Sequence, residues 1–238
     1  GFDNATQQLV AMYPLSAFVK IEKWFSQPGA QAPHNVFQNE LPEENWMEVA
    51  ATYYEKGLLS ETKNILELIP QNPLASYWMA YINHLQGNEA KTWLDKAESQ
   101  SPAFVFPFRS EMKEPLEWAV ANTRGWKARY FLALFYKEKN QLAKAKELFN
   151  QLGEQPDYPP FYATRAQWEK EMPSLVEKDL QKAISLDKEQ WRYTKQLADF
   201  YIGQKSYDKA LAIAEPFFKS HPSQFIMGML YTKTLLLN

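Results

Sequence analysis

The residues that could bind a metal ion or perform hydrolysis are scattered through this sequence. His34, His84 and His221 each lack a second histidine one helical turn away, the spacing that a hydrolytic zinc site on a helix requires. The 8 glycines are isolated, so no loop offers clustered backbone amides to a phosphate. No Gly-x-Ser-x-Gly nucleophile turn is present, and the pair Glu43-Glu44 fits a helix start, where negative charge is favourable. The sequence therefore predicts a non-catalytic protein without a metal or cofactor.

Composition excludes further classes of site and partner. With 0 cysteines the chain has no disulfide, no thiolate zinc site and no cysteine nucleophile, and this absence favours an extracytoplasmic (periplasmic) location over a cytoplasmic one. The 26 basic and 28 acidic residues nearly cancel, which disfavours nucleic-acid binding. No apolar run approaches the roughly 20 residues of a membrane-spanning helix. We therefore expect no nucleic acid partner and no membrane insertion.

The elements that would position any site are helices. Stretches of about a dozen residues have apolar positions at helical spacing, and short segments with Gly, Asn or Pro separate them. Similar turns each follow an aromatic-rich helix and precede an amphipathic one: Lys56-Gly57-Leu58, Gln86-Gly87-Asn88, Lys139-Asn140-Gln141 and Gly203-Gln204-Lys205. This recurrence predicts a repeat array.

The repeat register is clearest in two units. Ala145 and Ala210 occupy the same position in them and stand 65 residues apart, which is about two periods of about 34 residues. Small residues at fixed places let two helices approach closely, and aromatic residues fill the space to the next pair. The clearest unit supplies Leu197, Ala198, Tyr201, Tyr207, Ala210, Phe217 and Pro222, and the other supplies Leu132, Ala133, Tyr136, Leu142, Ala145 and Phe149.

In these residues the sequence resembles tetratricopeptide-repeat (TPR) proteins. The resemblance implies an all-α fold, a helix-turn-helix superhelical solenoid. The segments at 77–81, 101–109 and 128–133 are also similar to the TPR region of large Bacteroidetes proteins that carry a DUF5107 domain. That resemblance implies that the chain is one piece of a longer protein.

The predicted organisation is a single TPR-like solenoid over residues 1–238. A segment rich in Pro, Gly, Gln and Asn predicts an irregular connection at 27–43, and Pro107 in an apolar stretch predicts an extended insert at 103–110. A helix near Glu111 to Asn122 should follow the insert. The repeats are expected at about 43–73, 74–102, 126–156, 157–188 and 191–222, with a partial repeat at 223–238. Because the last segment is apolar without a second helix, we expect self-association through 223–238.

The resemblance also implies a binding face. In TPR proteins the first helix of each pair lines a concave groove through the second, fifth, ninth and twelfth positions of the unit. This set is aromatic and basic, which suits an extended acidic or C-terminal peptide of a protein partner. The positions that correspond here, with His84 beside them, are Met47, Tyr54, Tyr77, Tyr81, Lys127, Tyr130, Lys137, Tyr158, Phe161, Arg165, Trp168, Arg192 and Lys195.

Two other functions remain open at this point. The asparagine of the family's carboxylate clamp is missing from the matching places, and Phe104 to Phe108 could fold into the groove and occupy it. The chain could then be a structural spacer that positions a companion domain. It could also be an accessory arm of a larger glycan-related protein, because its 8 Trp and 13 Tyr suit stacking on sugars.

Overall fold

The computed structural model describes residues 4, 7–8, 11–13, 15–27 and 29–238, and within these residues it contains helices and no strand. The chain forms two compact units, residues 1–140 and 141–238. The helices of the first unit are α1 (Ala17–Ser26), α2 (Pro42–Glu55), α3 (Leu59–Leu66), α4 (Pro73–Leu85), α5 (Lys91–Ser99), α6 (Lys113–Asn122) and α7 (Lys127–Glu138), with a 3-10 turn at Ser110–Met112. The second unit contains α8 (Leu142–Leu152), α9 (Pro159–Trp168), α10 (Pro173–Leu186), α11 (Trp191–Gly203), α12 (Tyr207–Ser220) and α13 (Phe225–Leu237).

Within each unit, consecutive helices pack as helix-turn-helix pairs. In the first unit α2 packs on α3, α4 on α5, and α6 on both α4 and α7. In the second unit α9 packs on α10 and α11 on α12, while α10 also contacts α11, and α12 contacts α13. The predicted all-α class and helix-turn-helix organisation are confirmed. The predicted repeat 126–156 has its first helix, α7, in the first unit and its second, α8, in the second unit.

One backbone turn recurs after the first helix of a pair. The amides of Leu58, Asn88 and Ser206 each donate to a carbonyl five residues earlier, and the residue before each of them has a positive φ. That residue is Gly57 (φ 73°), Gly87 (φ 72°) or Lys205 (φ 56°). This is the Schellman ending of a helix, in which a left-handed residue lets the last carbonyls find donors. Three of the four predicted turns thus share a hydrogen-bond pattern.

Small residues occupy buried positions on the paired helices. Ala50 on α2, Ala80 on α4, Ala198 on α11 and Ala210 on α12 are fully buried. Because a methyl side chain occupies little space, two helix backbones can approach closely at these points. In the second unit the buried cluster of Ala166, Val176, Leu180, Leu197, Tyr201 and Ala210 joins α9, α10, α11 and α12.

Two irregular segments separate helices of the first unit. α2 begins at Pro42, after a connection without helix, and Ser110 begins the first helical turn after the insert. Phe104, Phe106 and Phe108 are exposed to 92%, 63% and 42%, and Phe104 has a left-handed φ of 60°. The side chains that could have filled a groove therefore face solvent.

Candidate functional site

Several residues of the predicted groove lie in the interior of the helix pairs. Their side chains pack against neighbouring helices, so they cannot contact a ligand directly. Burial also explains why aromatic residues occur at several of these positions, because large rings fill the space between helices. The buried members are Met47, Tyr77, Tyr130, Phe161 and Arg165.

Arg165 on α9 is the clearest case, because its charge is used inside the second unit. Its Nε and Nη2 donate to the two carboxylate oxygens of Asp179 on α10 at 2.7 and 2.6 Å, and its Nη1 donates to the carbonyl of Gly153 at 2.6 Å. Asp179 is fully buried. The guanidinium also lies 4.9 Å from the ring centroid of Phe161. Arg165 therefore joins two helices and is not available to a peptide carboxylate.

Lys127 and Tyr77 belong to a second interior network, in the first unit. Lys127 Nζ donates to the carbonyl of Glu98 at 2.6 Å and to that of Gln100, at the C-terminal end of α5. The Glu98 carboxylate accepts from the Tyr77 hydroxyl at 2.7 Å and from the amides of Lys127 and Ala128, the first residues of α7. These bonds satisfy helix ends that otherwise lack partners. Lys127 is therefore a structural tie between α5 and α7.

The other predicted members are half-buried or exposed, and they separate into two sets. Tyr54 and Tyr81 lie on the first unit beside residues of α6, and Lys137 is exposed near the end of α7. On the second unit Tyr158 and Trp168 are half-buried, Lys195 is half-exposed, and Arg192 is exposed with its guanidinium 4.8 Å from the Trp191 ring. Each unit thus offers its own candidate surface.

The surface of the first unit is a group of rings around one carboxylate, which we name the Glu114 cluster. It consists of Glu114 and Trp118 on α6, Tyr81 and His84 on α4, and Tyr54 on α2. The Tyr81 hydroxyl donates to Glu114 Oε2 at 3.1 Å. The His84 ring stacks on Trp118 at 4.9 Å between centroids, and the Tyr81 ring lies 6.0 Å from Trp118. All five side chains are partly or fully exposed.

The electrostatics of this cluster are dominated by the carboxylate. Partial burial, together with the hydrogen bond to Glu114 and its negative charge, raises the pKa of Tyr81 to about 12. Burial and the same carboxylate raise the pKa of Tyr54. Both tyrosines are thus neutral donors near neutral pH, and Glu114 contributes a negative charge to the cluster. This arrangement favours a cationic group.

The surface of the second unit is a pocket of about 490 Å³ between α9, α10 and α11. Its apolar wall is Ala166, Val176, Leu180 and Phe200, the first three of which belong to the buried cluster of this unit. Such a pocket has the size to take one apolar side chain of a partner. Its polar rim is formed by Gln167, Lys170, Gln196, Asp199 and Gln204, and Gly203 completes the lining.

Two features of the rim determine its charge. Asp199 accepts from Lys195 at 2.5 Å, so that carboxylate is neutralised within α11. Lys170 is exposed, and no carboxylate of the described residues lies within ion-pair distance of it. The rim thus presents positive charge beside an apolar pocket.

A third exposed surface lies at the C-terminal helix pair. Phe225, Met229 and Leu236 on α13 and Phe218 on α12 line an apolar groove of about 750 Å³. This surface contains the segment 223–238, for which the sequence predicts self-association.

Sequence reasoning missed the residues that give the two unit surfaces their chemistry. Glu114 and Trp118 lie on the helix after the insert, which has no place in the repeat register. Asp199 occupies the ninth position of its unit, four residues after Lys195, so an (i, i+4) ion pair was a detectable signal. Lys170 follows α9 and could be placed only once the helix ends were known.

The part of the chain that the structure describes contains no group of three His, Asp or Glu side chains that could hold a metal ion. It also contains no helix long and apolar enough to cross a membrane.

Comparisons with known proteins gave only distant structural likenesses. No family model matches the chain, and no curated protein matches it. The solved structures that it resembles include a thermophilic TPR protein of Thermus thermophilus, at 20% identity over 82% of this chain and 99% of that one, with a TM-score of 0.42. They also include a TPR protein from Parabacteroides merdae, at 17% identity over 82% and 72% with a TM-score of 0.44. The similarity to DUF5107-associated proteins stays a prediction.

Proposed function

We propose that this protein is a non-catalytic interaction module that binds a peptide or protein segment on the first helices of its helix pairs. The observation that carries the proposal is the pocket between α9, α10 and α11, with its apolar wall and its cationic rim. An apolar side chain of the segment enters the pocket, where burial stabilises it by about 1.5 to 3 kcal/mol. The preferred segment is acidic, because a carboxylate near Lys170 gains a charge-assisted hydrogen bond.

Gly203 provides a direct test of the pocket. A Cβ built on this residue contacts no heavy atom within 4 Å, so a larger side chain can be placed at the pocket without a clash. Peptides are selected from a random display library on the immobilised intact chain, and their affinities are measured by fluorescence anisotropy. Gly203→Phe should weaken the selected peptides about tenfold or more, because its ring competes for the pocket.

Gly203→Ala is the matched control, since it changes the same position without filling the pocket, and it should leave the affinity unchanged. Lys170→Glu should weaken acidic peptides by about two- to fivefold, the range of an exposed ion pair. Peptides that bind Gly203→Phe as well as the unchanged chain would contradict this site. A library without any binder would favour the alternative, a structural spacer or an accessory arm of a larger protein.

The proposed module also associates with a second copy of itself through α13. The apolar residues Phe225, Met229 and Leu236 are exposed, and an isologous contact would cover the same patch on both copies. Sedimentation velocity should detect dimers that Met229→Glu abolishes and that Ala212→Glu, on an exposed position of α12, leaves intact. A monomer at every concentration would contradict self-association.

A further inference from the structure

We propose that the Glu114 cluster of the first unit binds a cationic side chain, an arginine or a lysine, presented by a partner protein. The surface lies on α2, α4 and α6, and it is independent of the pocket in the second unit. Its charge preference is opposite to that of the pocket rim. The proposal rests on the state of the carboxylate, on the rings around it and on the cations elsewhere in the chain.

The carboxylate of Glu114 keeps capacity for another donor. Only its Oε2 accepts a hydrogen bond from a described residue, the Tyr81 hydroxyl at 3.1 Å. The adjacent cation Lys113 lies 3.9 Å from Glu117, so its nearest carboxylate is a different one. An exposed carboxylate with one oxygen open can accept the N–H groups of an arginine or lysine, and such charge-assisted bonds are strong.

Other tyrosine–glutamate pairs of the chain serve as internal struts, and they differ from this one. The hydroxyls of Tyr53, Tyr77, Tyr136 and Tyr201 donate to glutamates at 2.5 to 2.7 Å in partly buried surroundings. The bond between Tyr81 and Glu114 is longer and exposed. Packing explains the internal pairs, whereas the Glu114 pair leaves its carboxylate and its rings accessible.

The aromatic side chains supply the second half of a cation site. Trp118, Tyr81 and Tyr54 are half-exposed. Trp118 follows Glu114 by one helical turn on α6, and its ring lies 6.0 Å from that of Tyr81, so these rings are within reach of a cation that pairs with Glu114. Elsewhere the chain covers such rings with its own cations: Lys96 lies 4.6 Å from the Trp93 centroid, and Lys209 lies 5.2 Å from the Tyr201 centroid. Across the described residues, no lysine or arginine lies over a ring of the Glu114 cluster. The cluster thus combines a negative charge with aromatic faces that lack an internal cation.

The test uses two small probes that differ in charge and have nearly the same shape. N-acetyl-arginine amide and N-acetyl-citrulline amide are titrated into the intact chain, and the Trp118 indole N–H resonance is followed by NMR. The arginine probe should shift this resonance with saturation in the millimolar range, and citrulline should bind at least about fivefold more weakly. Equal shifts by the two probes would overturn the proposal without any mutation.

Variants identify the group that is responsible. Glu114→Gln keeps the shape of the side chain and removes its charge, and it should reduce arginine binding at least about fivefold. Glu138→Gln, an exposed acid at the end of α7, is the matched control and should have no effect. Unchanged binding in Glu114→Gln would contradict the proposal, and circular dichroism verifies that both variants are folded. Because the pocket variant Gly203→Phe should leave this titration unchanged, the proposals for the two sites can be contradicted independently.

Discussion

Both units are built from helix-turn-helix pairs, but their candidate surfaces carry opposite charges. On the first unit, exposed rings surround the carboxylate of Glu114, and no described lysine or arginine lies over them. On the second unit, Asp199 is neutralised by Lys195, and Lys170 extends beside an apolar pocket. The repeat register places the helices, but contacts with neighbouring helices decide which of the predicted groove positions stay exposed and which charge remains there. A shared fold therefore does not imply a shared ligand.

The polar contacts inside the two units also differ in charge. In the first unit a partly buried polar contact joins a neutral hydroxyl to a carboxylate, Tyr77 to Glu98. In the second unit it is a full ion pair, Arg165 on Asp179, with both side chains buried. A buried charge without its partner costs much more than a buried neutral group without its partner. The second unit should therefore be the more sensitive to loss of one polar side chain.

The largest effect is expected from Asp179→Ala. This change leaves the Arg165 guanidinium buried without its carboxylate, so the free energy of unfolding should fall by about 3 to 5 kcal/mol. Urea denaturation measures the loss, and hydrogen exchange should show reduced protection first in α9 and α10. Lys178→Ala, which removes one partner of the exposed pair with Glu154, is the control and should cost at most about 1 kcal/mol. A loss below that of the control would contradict the contrast between the interiors.

A smaller effect is expected from Tyr77→Phe in the first unit. Removing the hydroxyl takes one donor from Glu98, whose carboxylate still accepts from two amides of α7, so the loss should be about 1 to 2 kcal/mol. Burial, and next the charge of Glu98, hold the pKa of Tyr77 well above its usual value, so this hydroxyl stays a donor up to high pH. Tyr81→Phe, whose hydroxyl bond is exposed, should cost less in the same urea experiment. Equal losses would remove the distinction between the internal struts and the Glu114 cluster.

Gly203→Ala should change stability in the opposite direction. Gly203 is the last residue of α11, its φ is not in the left-handed range, and an added Cβ meets no atom. Since alanine favours helix by up to about 1 kcal/mol over glycine, the melting temperature should rise slightly. Gly87→Ala, at a φ of 72°, should lower it, because that position is left-handed. A fall in both variants would show that Gly203 is constrained in a way that its open surroundings do not explain.

The smallest effect on stability is expected from Glu114→Gln, the variant that matters most for the first surface. The side chain is exposed and its one internal hydrogen bond can be kept by the amide oxygen, so unfolding should change by no more than about 0.5 kcal/mol. Differential scanning calorimetry provides the measurement. A larger loss would mean that the Glu114 pair acts as a strut like the four internal pairs.

Sequence predicted the helices and turns well, because local chemistry determines them. The Gly57 and Gly87 turns and the proline at the start of α2, α4, α9 and α10 need only a few neighbouring residues. The exposure of the predicted groove residues depends on more distant parts of the chain. Whether Arg165 faces solvent depends on Asp179, 14 residues later on another helix, and Lys127 depends on the carbonyls that end α5. Such pairings follow from the packing of helices and not from the position of a residue in its repeat.

The tie between α5 and α7 has a consequence for the segment that it encloses. Lys127 and Glu98 fasten the ends of the excursion 101–126, which contains the exposed phenylalanines and the whole of α6. Between these fixed ends, Leu116 and Ala119 are fully buried and hold α6 in the core of the first unit, whereas Glu114 and Trp118 lie on its accessible side. Substitutions at these two accessible positions can therefore change the chemistry of the surface while the buried residues keep α6 in place.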